Sequence, residues 1–254
     1  MSAFDGKVVW VTGAGTGIGR AAALMFAHEG ATVALIGRRR EPLKEVAGEI
    51  ERAGGRASLE ALDVAERDQV NEVAARLLEQ FGRVDILVNN AGLNVVNRRL
   101  EELTPKDWDY VIGVNLTGAF NMVQAVFPTM KEQADGLIIN VASTAARRVS
   151  GVAGMAYTAS KFGMLGMSLS LTQEAWKFGI RATCLCPDDV NTPIMQRRRI
   201  KYSQEVLDQF IQPGDLADAM RFVALTPKRT SIPEMTIYPT NIRPYTPAET
   251  GVPA

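Results

Sequence analysis

Lys7-Val8-Val9-Trp10-Val11-Thr12-Gly13-Ala14-Gly15-Thr16-Gly17-Ile18-Gly19 decides the fold. The apolar run Lys7–Val11 reads as a short buried strand, and the alanine-rich stretch near Ile18–His28 reads as a helix. Between them, glycines at 13, 17 and 19 permit a tight turn, a close backbone approach to a ligand and close packing of helix on strand. A helix that starts there presents free N–H groups and the positive end of its dipole. Strand, glycine turn and helix in this order point to a site for a dinucleotide pyrophosphate at Gly13, Thr16, Gly17, Ile18 and Gly19. A purely structural glycine turn is the competing reading.

Outward from that unit, short apolar runs alternate with helix-period stretches. Strands are expected at Lys7–Val11, Thr32–Ile36, Ala57–Ala61, Ile86–Val88, Leu137–Val141, Arg181–Leu185 and Met235–Tyr238. Helices are expected near Ile18–His28, Pro42–Ala53, Arg67–Phe81, Lys106–Lys131, Met155–Lys177 and Leu216–Leu225. Ile86-Leu87-Val88 and Leu137-Ile138-Ile139 are apolar on both faces, as parallel strands covered by helices must be. The pattern predicts an α/β fold: a Rossmann-type, doubly wound parallel sheet of about seven strands with helices on both faces. The 254 residues are expected to form one domain. Two stretches break the alternation: a polar segment near 191–212, placed to act as a substrate lid, and an irregular proline-rich tail, 239–254.

The second strand ends Leu35-Ile36-Gly37-Arg38-Arg39, without the acid that usually grips an NAD ribose 2′-hydroxyl. Guanidinium groups suit a 2′-phosphate, through bidentate charge-assisted hydrogen bonds. The expected cofactor is therefore NADP(H), with Arg38 and Arg39 on the phosphate and NAD(H) as the alternative. A solvated basic turn remains the bland explanation of the same residues.

Composition removes other classes. Lysine plus arginine and aspartate plus glutamate both number 28, so the total charge points to neither nucleic acid nor an anionic membrane. No apolar run in the sequence approaches the roughly 18–20 residues that span a bilayer. The amino-terminal residues lack the layout of a signal peptide. Cys184 and Cys186 alternate along an expected strand, poorly placed for a disulfide, which fits a reduced, cytoplasmic compartment. His28 is the sole histidine and falls on a helix surface, which disfavours Ser-His-Asp, Cys-His and His-metal chemistry. Proton transfer then falls to tyrosine, lysine or a carboxylate.

Tyr157-Thr158-Ala159-Ser160-Lys161 puts a phenol and an ammonium at i and i+4 of one helix face. A free tyrosine titrates near pH 10, and a neighbouring lysine cation is expected to lower that value. Alone, such a pair is commonplace in helices.

With its companions it is not. From about Gly6 to Thr240 the chain resembles the short-chain dehydrogenase/reductase family. The glycine turn matches that family's cofactor fingerprint, and Asp63-Val64 resembles its adenine-contacting pair after the third strand. Asn89-Asn90-Ala91-Gly92 resembles the segment that stabilises the central strand and lines the cofactor. Asn115, Ser143, Tyr157 and Lys161 correspond to the catalytic tetrad. The resemblance implies an NAD(P)(H)-dependent oxidoreductase that interconverts a ketone or aldehyde and an alcohol. Ser143 would hold the substrate oxygen, Tyr157 would act as acid/base, Lys161 would bind the nicotinamide ribose, and Asn115 would hold a water. It further implies nicotinamide contacts from Pro187, Val190 and Thr192, a small-molecule carbonyl or alcohol substrate, and a homotetramer or dimer built on the two long helices.

Two departures stand out. The family's usual glycine after Pro187 is replaced by Asp188, a residue that tolerates a left-handed backbone. The loop between Ser143 and Tyr157 is about one residue longer than expected and carries Arg147 and Arg148. The pocket is expected to be mostly apolar, lined by Leu93, Asn94, Val95, Thr144, Ala145, Val152 to Met155, Ile194 and Met195. Arg147-Arg148 and Arg197-Arg198-Arg199 offer a charged alternative there. Two rival functions remain: a non-catalytic cofactor sensor, and a sugar-nucleotide epimerase or dehydratase on a related fold.

Overall fold

The computed structural model describes residues 2–149, 151–199 and 201–241. Seven strands form one parallel sheet: β1 Val8–Thr12, β2 Thr32–Gly37, β3 Arg56–Ala61, β4 Ile86–Asn89, β5 Gly136–Val141, β6 Ile180–Pro187 and β7 Glu234–Ile237. Their order is β3-β2-β1-β4-β5-β6-β7. Every strand pairing is parallel, with β1 and β4 in register Val9 to Ile86 and Val11 to Val88. The chain therefore switches direction across the sheet between β1 and β4, which opens a crevice at their carboxyl ends. Each strand lies within two residues of its expected position, although Tyr238 falls outside β7.

The inner strands lie between two helical layers because their side chains are apolar in both directions. All residues of β1, β4 and β5 are buried. Val9, Val11, Val33, Leu35, Val88 and Ile139 face one core, with α1 (Gly17–His28), α2 (Arg40–Arg52) and α8 (Pro213–Leu225) over them. Trp10, Ile36, Leu87 and Ile138 face the opposite core, under α3 (Arg67–Phe81), α4 (Pro105–Ile112), α5 (Gly118–Gln133) and α6 (Met155–Ala175). Cys184 and Cys186 share one face of β6 as expected, buried free thiols in sulfur-to-sulfur hydrogen-bond contact at 3.8 Å.

One expected element is different in kind. Lys106–Lys131 is not a uniform helix: α4 and α5 are joined by a π-helical turn, Gly113–Thr117. Such a turn inserts one residue into the ladder and re-aims a side chain. Here it drives Asn115, fully buried, into the sheet's carboxyl edge. The whole run Pro105–Gln133 is long and apolar enough to cross a membrane by length and composition, contrary to the reading of the bare sequence. Half of its most apolar window is buried inside the fold, where it packs against α3 and the sheet.

After β6 the chain makes an excursion from Asn191 to Ile211. It contains a 3₁₀ turn, Pro193–Arg197, and the short helix α7, Gln204–Asp208. The excursion is cinched at its base, where Val190 bridges Ile211 and Asn191 N–H donates to the Ile211 carbonyl. Most of the proline-rich tail, 242–254, lies outside the described residues.

Candidate active site

The turns that follow β1, β4, β5 and β6 meet in one cleft of about 690 Å³. At its floor, Gly13 has φ +66° and Gly17 φ +56°, backbone that side chains rarely adopt. A Cβ on Gly13 would lie 2.9 Å from Asn90 Nδ2, and one on Gly19 would strike the Gly13 carbonyl. The turn is tight enough to bring the start of α1 against the ends of β1 and β4, so a pyrophosphate fits this cradle. Gly13, Thr16, Gly17 and Ile18 line the cleft, whereas Gly19 is buried behind it as a packing glycine.

Thr12, the last residue of β1, fastens the cradle to its neighbour. Its Oγ1 accepts from the backbone N–H of Asn90 (3.0 Å) and of Ala91 (2.9 Å), and donates to the Val88 carbonyl (3.3 Å). Asn90 returns an amide hydrogen bond to the Thr12 carbonyl at 3.0 Å. Sequence reading missed Thr12, because a threonine ending a strand carries no distinctive signal. Behind it, Asn89 donates to Asn140 Oδ1 (3.0 Å) and Asn140 to Ser168 Oγ (3.1 Å), a buried polar chain that ties β4, β5 and α6.

At the far end of β2, Arg38 and Arg39 both line the cleft. The Arg38 guanidinium stacks over the Tyr110 ring, 5.4 Å from its centre, and donates to the Tyr110 hydroxyl. It also lies 3.6 Å from Asp63 Oδ2, so part of its charge is already answered. Asp63 accepts from the Ala65 N–H, and with Val64 it closes this end of the cleft.

The catalytic candidates converge at the other end. Asn115 donates to the Leu93 carbonyl (2.9 Å) and to Ser160 Oγ (3.1 Å), while its Oδ1 accepts from the Leu93 N–H (2.8 Å). Ser143 follows β5, its Oγ accepting from the Ala145 N–H at 3.1 Å, and it hydrogen-bonds Tyr157. Lys161, buried, donates to the Val141 carbonyl at 2.8 Å, and its Nζ is 5.5 Å from the centre of the Tyr157 ring. Burial holds the Lys161 ammonium down at about 8. The expected lowering of Tyr157 by this lysine is not what the site does. Burial pushes the phenol up, and the Ser143 hydrogen bond and the fields of Arg198 and Arg98 only partly pull it back.

Asp188 also departs from expectation. Among the described residues Ala134 is the only non-glycine with positive φ, so Asp188 does not borrow a glycine's conformation. Its carboxylate instead accepts from Thr144 Oγ1 (2.7 Å) and from Arg148 (3.0 Å), lacing the loop after β5 to the loop after β6. Pro187, Val190 and Thr192 line the cleft, and Thr192 packs against Gly17.

The substrate end is more charged than expected. Leu93, Asn94, Thr144, Ala145, Val152, Ala153, Ile194 and Met195 line it, but Val95 turns into the core, and Gly154 and Met155 stand outside. Arg98, Arg148, Arg197 and Arg198 join the wall, with Asp188 and Asp189. Arg147 pairs instead with Glu234 and Arg199 with Glu102, away from the cleft. Arg98 carries no motif in the sequence that marks it for this site.

A family model described as short chain dehydrogenase matches residues 7–203. This chain belongs to the short-chain dehydrogenase family. It is 37% identical over 226 residues to a 3-oxoacyl-(acyl-carrier-protein) reductase of Thermotoga maritima, covering 87% of this chain and 91% of that one. A metagenomic short-chain oxidoreductase solved in complex with NADP superposes with a TM-score of 0.83 at 34% identity, covering 95% of this chain and all of the other. A short chain dehydrogenase from Mycobacterium paratuberculosis bound to NAD gives 0.81 at 26% identity, covering 92% and 97%. The chain is thus an oxidoreductase of this family, with a nicotinamide-dinucleotide cleft.

Proposed function

We propose that this short-chain dehydrogenase interconverts a ketone or aldehyde with its alcohol, with Tyr157 as the acid/base and NADP(H) as the preferred cofactor. One observation carries the reading: Ser143, Tyr157 and Lys161 line the same end of a single cleft, and Asn115, buried behind them, bonds Ser160 on their helix, so three separate segments meet there. The cofactor, when bound, supplies or accepts the hydride. Ser143 orients the substrate oxygen, and Tyr157 gives it a proton in reduction or takes one in oxidation. A phenol held above its ordinary value is protonated at neutral pH, the state that reduction requires. Lys161 sits beside Gly92 and Val141, where it would hold a ribose hydroxyl of the cofactor. Asn115 is the positioning residue: its amide fixes Leu93 and Ser160, and through them the strand end and the helix that carries Tyr157.

The decisive experiment compares NADPH oxidation by the wild type and Tyr157→Phe against a ketone panel. Turnover is expected to vanish in the variant while NADPH binding persists, and surviving turnover would overturn the assignment. NADPH oxidation without any epimerised product sets aside the epimerase reading, and turnover of any ketone sets aside the sensor.

The NADP(H) preference is supported by Arg38 and Arg39 at the cleft wall and by Gly37, where an acid would grip a 2′-hydroxyl. Self-association is supported by two apolar patches on opposite layers. Tyr110, Phe120, Phe162 and Leu169 are exposed on α4 to α6, and Phe222 and Leu225 on α8. Two self-complementary patches build a tetramer of paired dimers. We place the enzyme in the cytoplasm, where a pair of buried free thiols persists.

A further inference from the structure

Among the four arginines at the substrate end, two are answered by carboxylates. Arg148 bonds Asp188 and Arg198 bonds Asp189. Arg98 is different. Its Nη1 donates to the Val152 carbonyl (2.9 Å) and its Nη2 to the Arg197 carbonyl (2.7 Å), and no carboxylate among the described residues pairs with it. It lies close enough to the Tyr157 phenol for each charge to shift the other.

A neutral carbonyl satisfies a donor without cancelling a charge. Burial, reinforced by the like charges of Arg198 and Arg199, pushes this guanidinium down to about 10, although arginine ordinarily stays far higher. The protein therefore holds a cation against its solvation, next to the reacting centre, with two of its five N–H donors used. A side chain needed only to staple the excursion onto the loop at Val152 would do so equally well uncharged. Packing fixes the base of the side chain: a Cβ on Gly154 would lie 2.7 Å from Arg98 Cβ, so the loop before α6 rests directly on the arginine. Arg197, which donates to the Asn94 carbonyl (3.1 Å) and pairs with no carboxylate among the described residues, adds a second, exposed cation at the rim.

We propose that Arg98 is the specificity-determining residue of this site and that the substrate carries a carboxylate close to its carbonyl, bound by the unused edge of the Arg98 guanidinium. This rests on the carbonyl-reductase reading of the same cleft. A charge-assisted pair of this kind distinguishes acid from ester by roughly 10–100-fold.

The test is calorimetric titration of 2-oxobutanoate, 3-oxobutanoate and 4-oxopentanoate, each beside its methyl ester, into the non-reacting NADP+ complexes of wild type, Arg98→Gln and Arg98→Lys. Glutamine keeps an N–H donor for the two carbonyls and removes the charge, and unchanged NADPH affinity reports an intact fold. At least one acid is expected to bind tenfold or more tightly than its ester to the wild type. Glutamine is expected to erase that preference, and lysine to keep part of it. Equal binding of every acid and its ester, or a preference that survives Arg98→Gln, overturns the proposal. Turnover is read separately. Acids that bind through Arg98 but oxidise no NADPH defeat the reductase reading alone. Reduction of acid and ester with equal kcat/KM defeats the Arg98 assignment alone.

Discussion

At the residue scale the site is governed by two groups that burial displaces in opposite senses. Tyr157 is held protonated, whereas Lys161 is brought to the edge of losing its proton. A lysine lowered to about 8 is a cation below that pH and neutral above it. In the free enzyme, kcat/KM for NADPH should therefore fall as pH rises through about 8, and Lys161→Met should remove that limb along with most of the affinity. A flat profile from pH 7 to 9 in the wild type would contradict the role given to Lys161. Arg38 belongs to the same scale. Loss of a charge-assisted contact worth ~1.5–3 kcal/mol predicts that Arg38→Asp raises KM for NADPH by about 10–100-fold and leaves KM for NADH nearly unchanged. Equal effects on both cofactors would locate Arg38's value in its stack on Tyr110 instead. The tetrad and the glycine turn were readable because each needs a residue type at a set interval. Thr12, Asn140 and Arg98 were not, since what distinguishes them is the partner they meet across the sheet or the partner they lack.

At the element scale, strands and helices were legible wherever one period ran unbroken. The helical run expected at Lys106–Lys131 is there, but the π turn inside it went unread because such a turn leaves the apolar pattern almost intact while adding one residue to the ladder. Asn115's position is the consequence, fixed by its hydrogen bonds to Leu93 and Ser160. The opposite end of the sheet depends on Asp85, just before β4. Its buried carboxylate accepts from Lys7, Arg83 and the Val8 N–H. Burial alone would raise it, but those donors outweigh burial and hold it below the usual carboxylate range. Asp85→Ala should cost roughly 2–3 kcal/mol, about 5–10 °C in Tm for a chain of this size. Because the folded value is the lower one, this stabilisation is present above about pH 4 and is lost as pH falls through the folded value. The gap in Tm between wild type and variant should therefore narrow only in acid, as scanning calorimetry across pH 3 to 7 would read. A gap that stays constant into acid would mean that Asp85 contributes shape rather than charge.

At the scale of the whole molecule, strand order places every functional turn at one edge. The strand order reverses between β1 and β4 there, and the turns after β5 and β6 complete the cleft. Light scattering is expected to give a dimer or tetramer, and Phe162→Glu should shift the population toward smaller species; a wild-type monomer would contradict this. The fold class followed from alternation and glycine spacing alone, whereas the charge of the substrate end showed only as an alternative carried by Arg148, Arg197 and Arg198, because Arg98 is remote from them in sequence and joins them only by topology. The lacing of Asp188 to Thr144 and Arg148 carries a further meaning. A glycine at that position leaves the two loops free to settle separately when ligand arrives, and the entropy of that settling is subtracted from affinity. Here the settling belongs to folding. The wall on that side of the cleft meets its ligand already rigid, as a mould rather than a hand, and what such a wall gains in selectivity it gives up in the range of shapes it can accept.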